Sequence, residues 1–134
     1  MPRPPLPANV RDLLLQANPA VIAANRPDGQ PVSVATWYLL EDDDRILINM
    51  DAARRRLSYL RDDPRVSLTV LSEANWGTHV SVQGRVVDIS PDLKLAGIDR
   101  LARQYFGGSY PNRDRERVNG WIEIEFWHAW QLKD

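Results

Sequence analysis

Three consecutive arginines, Arg54, Arg55 and Arg56 in "MDAARRRLSYLRDDPR" (50–65), are the residues whose grouping most clearly asks for chemistry. Asp51 is a good helix N-cap, because its carboxylate accepts hydrogen bonds from unpaired backbone N–H groups, and Pro64 must stop the helix. The arginines then fall in the first two turns, at the end that carries about half a positive charge, where anions are welcome and cations are not. On a helical wheel Ala53, Leu57 and Leu60 share the face to be buried. Arg54 and Arg56 flank that face and Arg55 points to water. Two guanidinium groups thus reach around a buried helix toward an anion. The competing reading is a solvated basic face partly paired with Asp62 and Asp63.

Other chemistries lack their residues. The chain has no cysteine, which removes disulfides, thiolate catalysis and cysteine metal sites. His79 sits on the polar side of a strand and His128 between two tryptophans, so neither is assigned a catalytic role. No glycine-rich phosphate loop is present, and the His and carboxylate spacing offers no metal site. What remains is an anion site beside apolar and aromatic walls. The strand "RILINM" (45–50) runs directly into the arginine helix, which holds Asn49 and Met50 close to Arg54 and Arg56. A flat aromatic cofactor lying along that strand would place its phosphate against guanidinium forks whose geometry suits phosphate oxygens. Trp37 and Trp76 supply ring contacts to it, or else belong to the core or an interface.

The elements that must position these residues can be read along the chain. A length of 134 residues suits one domain, 1–134, with a real core. A net charge of −1 argues against a general nucleic-acid binder, whose affinity rests on neutralising phosphates. No apolar run approaches the roughly 20 residues of a membrane span. The proline-rich "MPRPPLPANV" is not a secretory signal and reads as an extended N-terminal arm over 1–8. A cytoplasmic protein is expected. Residues 9–18 predict a short helix with Asn9 as cap, and 20–41 a hairpin turned by "RPDG". Residues 32–39 alternate as one strand, 45–50 form a strand buried on both faces, and 66–73 form another. Residues 78–90 predict a long strand with Gly84 at a bulge or bend, and 90–107 a helix opened by Ser90 and closed by glycine. Residues 108–120 read as a polar loop, and 121–134 as a strand with Ile122, Ile124, Phe126, His128, Trp130 and Leu132 on one face. The expected architecture is mainly β (α+β), a six-stranded antiparallel barrel with three short helices.

This order of motifs resembles the flavin/deazaflavin oxidoreductases of split β-barrel fold related to pyridoxamine 5′-phosphate oxidase, and more narrowly their coenzyme F420-dependent branch. The resemblance covers nearly the whole chain, through "NRPDGQPVSVATWYLLEDDDRILINM", "LRDDPRVSLTV", "HVSVQGRVVDI" and "LARQYFGGSYP". It implies a homodimer with two cofactor sites at the interface, Arg54 and Arg56 on the cofactor phosphate, and Trp121, Trp127 and Trp130 drawn on for the interface or core. Met50 stands where many relatives carry threonine, Arg56 where lysine is usual, and Tyr59 where asparagine is frequent. The implied function is hydride transfer from reduced coenzyme F420 to a small organic substrate. The alternatives are an FMN-dependent enzyme of the same fold or a non-catalytic flavin or deazaflavin carrier. Arg61 and Arg65 lie close enough in sequence to meet the acidic tail of coenzyme F420.

Overall fold

The computed structural model describes residues 2–132. Its helices are α1 (Ala8–Leu14), α2 (Arg55–Asp62) and α3 (Ala96–Phe106). Its strands are β1 (Ala20–Asn25), β2 (Pro31–Thr36), β3 (Leu39–Leu40), β4 (Ile46–Asp51), β5 (Arg65–Leu71), β6 (His79–Pro91) and β7 (Arg117–Trp130). They form one antiparallel sheet in the order β2-β1-β5-β6-β7-β4-β3.

Seven strands replace the expected six, and the sheet is not closed into a barrel. The reason lies in the segment 32–39. Thr36 still pairs with Ala20 of β1, whereas Leu39 pairs with Leu47 of β4 at the opposite edge of the sheet. Between them Tyr38 turns fully inward and donates its hydroxyl hydrogen to the Gln16 carbonyl (2.9 Å). The sheet therefore curls until Trp37 and Tyr38 alone separate its two edges, yet β2 and β3 share no ladder. β2 is left as an edge strand with Val34 exposed.

β4 behaves as its continuous apolar run requires. Ile46, Ile48 and Met50 enter the main core, while Leu47 packs on the other face with Ile98 and Leu101 of α3. β6 and β7 pair along most of their length, with a register shift between Gln83 and Gly84 that leaves Glu125 as an extra residue in β7. An extra residue reverses the alternation of inward and outward side chains. Ile122 and Ile124 are buried, but beyond the bulge Trp127, Ala129 and Leu132 pack against the core. The expected single face through Phe126, His128 and Trp130 is thereby corrected, and Trp130 is left exposed.

The N-terminal arm lies along its own chain. The Trp127 N–H donates to the Pro2 carbonyl (3.0 Å), the Arg3 guanidinium sits 4.6 Å over the Phe126 ring, and Leu6 is buried. The arm ends at Pro7, which takes the N-cap position expected for Asn9. Ser90 and Pro91 stay in β6, because the carboxylate of Asp92 instead receives the Gly97 and Ile98 N–H groups (2.8 and 2.9 Å) and so starts α3. No helix among the described residues is long and apolar enough to cross a membrane.

Candidate functional site

The arginine helix starts later than its sequence suggests. The β4–β7 ladder continues to Asp51 opposite Arg117, and the Ala52 N–H donates to the Glu116 carbonyl (2.9 Å). The strand therefore runs through Asp51, and Ala52 and Ala53 form a turn, closed by the Arg54 N–H on the Asp51 carbonyl (3.0 Å), where a helix was expected to open. Asp51 accepts the Ala53 N–H (2.9 Å) and pairs with Arg115 (2.9 Å), so it is not the N-cap. Arg54 is, without a capping side chain, and Arg55 and Arg56 are the first two helical residues. Leu57 and Leu60 are buried as expected, but Ala53 is exposed.

Arg54, Arg55 and Arg56 have no side-chain hydrogen bond or ion pair among the described residues. Arg56 is the least exposed of them, and its Nε is fully buried without a partner. Burial, reinforced by the neighbouring Arg54 charge, lowers its pKa from the ordinary arginine value. A buried N–H with no acceptor carries a desolvation cost that an anion would remove.

All three arginines face a cleft of about 1060 Å³. Edge strand β2 supplies one wall and the end of β4 supplies its floor. The far wall is aromatic. Trp37 stacks on Tyr105 (ring centroids 5.3 Å, planes 10° apart), and Tyr110 meets Trp37 edge-on (6.1 Å). Tyr105 donates to the Asn18 carbonyl (2.7 Å), and burial pushes its hydroxyl pKa up from 10.0 to about 12. The folded state thus holds this proton more tightly than the unfolded chain. Its contribution to stability is complete below pH 10 and is lost as the pH rises toward about 12. Ultraviolet titration of tyrosinate is expected to show two late-ionising groups, Tyr38 held up more strongly than Tyr105, and Tyr105→Phe should remove the earlier of the two; an unchanged earlier step in that variant would contradict the assignment.

Behind the cleft lies a buried polar network. Asn49 Nδ2 donates to Asp92 Oδ2 (2.9 Å) and Asn119 Oδ1 (2.7 Å), while Asn49 Oδ1 accepts from Arg117 Nε (2.7 Å). Gly97 is needed here, because a Cβ at that position would collide with the Asn119 amide. Arg117 also lies over the Tyr110 ring (4.9 Å) and lines the cleft. Tyr110 is held in turn by Asp99, which accepts its N–H (2.9 Å) and pairs with Arg113 (2.8 Å). Those contacts, Arg113 first, hold the Asp99 carboxyl below the usual carboxylate range.

The family model described as pyridoxamine 5′-phosphate oxidase matches residues 6–131. The chain belongs to this family. Among solved structures, one named F420 reductase is 26% identical, covering 92% of this chain and 98% of its own, with a TM-score of 0.83. A conserved hypothetical protein, Rv2991 from Mycobacterium tuberculosis, is 24% identical over 96% of this chain and 86% of its own (TM-score 0.75). General Stress Protein 26 from Bacillus anthracis is 12% identical over 93% of each chain (TM-score 0.68). The last two show the shared fold alone. No curated protein matches.

Within this member of the pyridoxamine 5′-phosphate oxidase family, the structure brings Trp37, Asn49, Met50, Arg54 and Arg56 to one cleft. It does not bring Trp76, which is 77% exposed in the turn after β5 and is no part of the lining. Arg55, expected to face water, lines the cleft with its neighbours. Arg65 is paired with Asp63 (2.8 Å), and neither it nor Arg61 lines the cleft. Trp121 packs beside Leu47 and donates Nε1–H to Glu41 (3.1 Å). His79 and His128 stand 6.1 Å apart on β6 and β7, outside the cleft. Sequence reading missed Tyr105, Tyr110 and Arg117. The aromatic "QYFGGSY" before the last strand was the available signal for the two tyrosines; nothing local marked Arg117.

Proposed function

We propose that the chain is an oxidoreductase using coenzyme F420, with the phosphate held by Arg54, Arg55 and Arg56. The observation that carries this reading is the run of three arginines without carboxylate partners, one with a buried orphan Nε, opening on a cleft with an aromatic wall. The family membership and the 26% identity to a protein named F420 reductase support it. When bound, reduced coenzyme F420 supplies the hydride, so no acid–base pair or nucleophile is asked of the protein.

The chain's own part is binding and orientation. The arginines offer charge-assisted hydrogen bonds to the phosphate oxygens, and the end of the α2 dipole adds to them. Met50 and Trp37 are the cleft residues that would hold the ring system, through apolar contact. Met50 is 2% exposed and brings no hydroxyl, so ring recognition falls to backbone groups and shape. The reading carries with it a cytoplasmic homodimer with two clefts. Its support is the exposure of Trp76 and Trp130, at 77% and 59%, a cost in water that a second subunit would remove.

Fluorescence titration of the purified protein with coenzyme F420 and with FMN tests the choice of cofactor. Coenzyme F420 is expected to bind more tightly, because its acidic tail adds charge that a basic cleft mouth attracts. Tighter binding of FMN would give the site to the flavin.

A further inference from the structure

Arg117 differs from the α2 arginines in what holds it. Its Nε–H donates to Asn49 Oδ1 (2.7 Å) and its guanidinium lies 4.9 Å over the Tyr110 ring, both neutral partners. It forms no ion pair among the described residues; the nearby Asp51 carboxylate interacts with its charge at longer range but is hydrogen-bonded to Arg115 and the Ala53 N–H instead. The two terminal amino groups of Arg117 therefore keep their N–H groups free on the lining of the cleft. Their direction is set from behind. Asn49 Nδ2 is bound by Asp92 and Asn119, so the amide can present only its oxygen to Arg117.

A cluster of three arginines matches a phosphate with a further acidic group beyond it. A single fork held by neutral groups matches one carboxylate, taken by two parallel N–H bonds. The space beside it is walled by Trp37, Tyr105 and Tyr110, whose rings favour a flat partner. We infer that Arg117 is the specificity-determining residue for the second reactant, a planar conjugated carboxylic acid whose carboxylate it binds, with Asn49 as its positioning residue. The inference rests on the reading of Arg54, Arg55 and Arg56 as the site of the cofactor phosphate.

The test is calorimetric binding of cinnamate and of neutral cinnamamide to the full-length chain, alongside separate titration with coenzyme F420. The pair differ in charge and little in shape. Wild type is expected to prefer cinnamate by about tenfold or more, the value of a charge-assisted bond. Arg117→Gln should abolish that preference and leave F420 affinity within about twofold, with a cooperative thermal transition showing that it folds, at a somewhat lower midpoint because Asn49 Oδ1 loses its donor. Arg117→Lys should restore part of the preference, since charge survives and the fork does not. Arg56→Ala should do the reverse, losing F420 and keeping the preference. Absence of cinnamate binding, equal binding of acid and amide, or a preference that persists in Arg117→Gln overturns the inference. A loss of F420 affinity in Arg117→Gln larger than the loss of cinnamate affinity assigns the fork to the cofactor and overturns it equally. If wild type binds no F420 but shows the Arg117-dependent preference, the cofactor reading fails while the carboxylate site stands.

Discussion

Replacing Gly84 by alanine is expected to lower the melting temperature by roughly 10–20 °C, the equivalent of about 3 kcal/mol in a chain of this size. Gly84 sits where β6 meets the β7 bulge, and a Cβ there would sit well inside the van der Waals contact distance of the Glu123 carbonyl oxygen. That oxygen belongs to the backbone, so relief requires the two strands to separate or slip. Slippage is costly, because Ile122 and Ile124 on one side of the bulge and Trp127 on the other depend on the change of alternation at Glu125. Gly108→Ala is the control. Its nearest neighbours are at 3.7 and 3.9 Å on the Phe106 ring, ordinary contact distances. Thermal unfolding followed by circular dichroism should show Gly108→Ala near wild type and Gly84→Ala well below it. Equal melting temperatures would mean that the bulge relaxes freely.

Arg56→Ala is expected to weaken coenzyme F420 by about tenfold to a hundredfold, since a charge-assisted hydrogen bond is worth about 1.5–3 kcal/mol. The side chain is half-buried and its Nε has no acceptor among the described residues, which leaves that N–H for a ligand. Arg54 and Arg55 are exposed, and solvent screens their contribution. Alanine at either position should cost about fivefold or less, in the range of exposed ion pairs. The unliganded protein should respond with the opposite sign. Removing Arg56 takes away a partly desolvated charge beside Arg54, at the positive end of α2, and should raise stability slightly. Binding isotherms and melting curves for the three variants check both halves. Equal small losses across the series, with no stabilisation from Arg56→Ala, would return the arginines to a solvated basic face.

What could be read in the sequence was whatever a few adjacent residues decide. The "RPDG" turn ends in Gly29, α2 stops before Pro64, α3 closes at Gly107, and the unbroken apolar run of β4 is buried on both faces. The arginine run was legible as a group of cations gathered at a helix start for the same reason: charge and helix polarity are local properties. Its details were not, because the ladder between β4 and β7 keeps the chain extended through Asp51, and a turn over Ala52 and Ala53 moves the helix start to Arg55. Tertiary structure also decided the strand count, since the split at Trp37 and Tyr38 arises from two distant partners, β1 and β4, pulling one alternating segment to opposite edges. It decided which face of β7 is inward, through a bulge whose cause lies across the ladder at Gly84. Most of all it decided the site. Asn49 lines the cleft and also tethers Arg117, and Tyr105, Tyr110 and Arg117 entered the cleft from segments far along the chain. No pattern within a segment encodes such meetings, because they depend on how a curled sheet and a covering helix bring separate segments to one place.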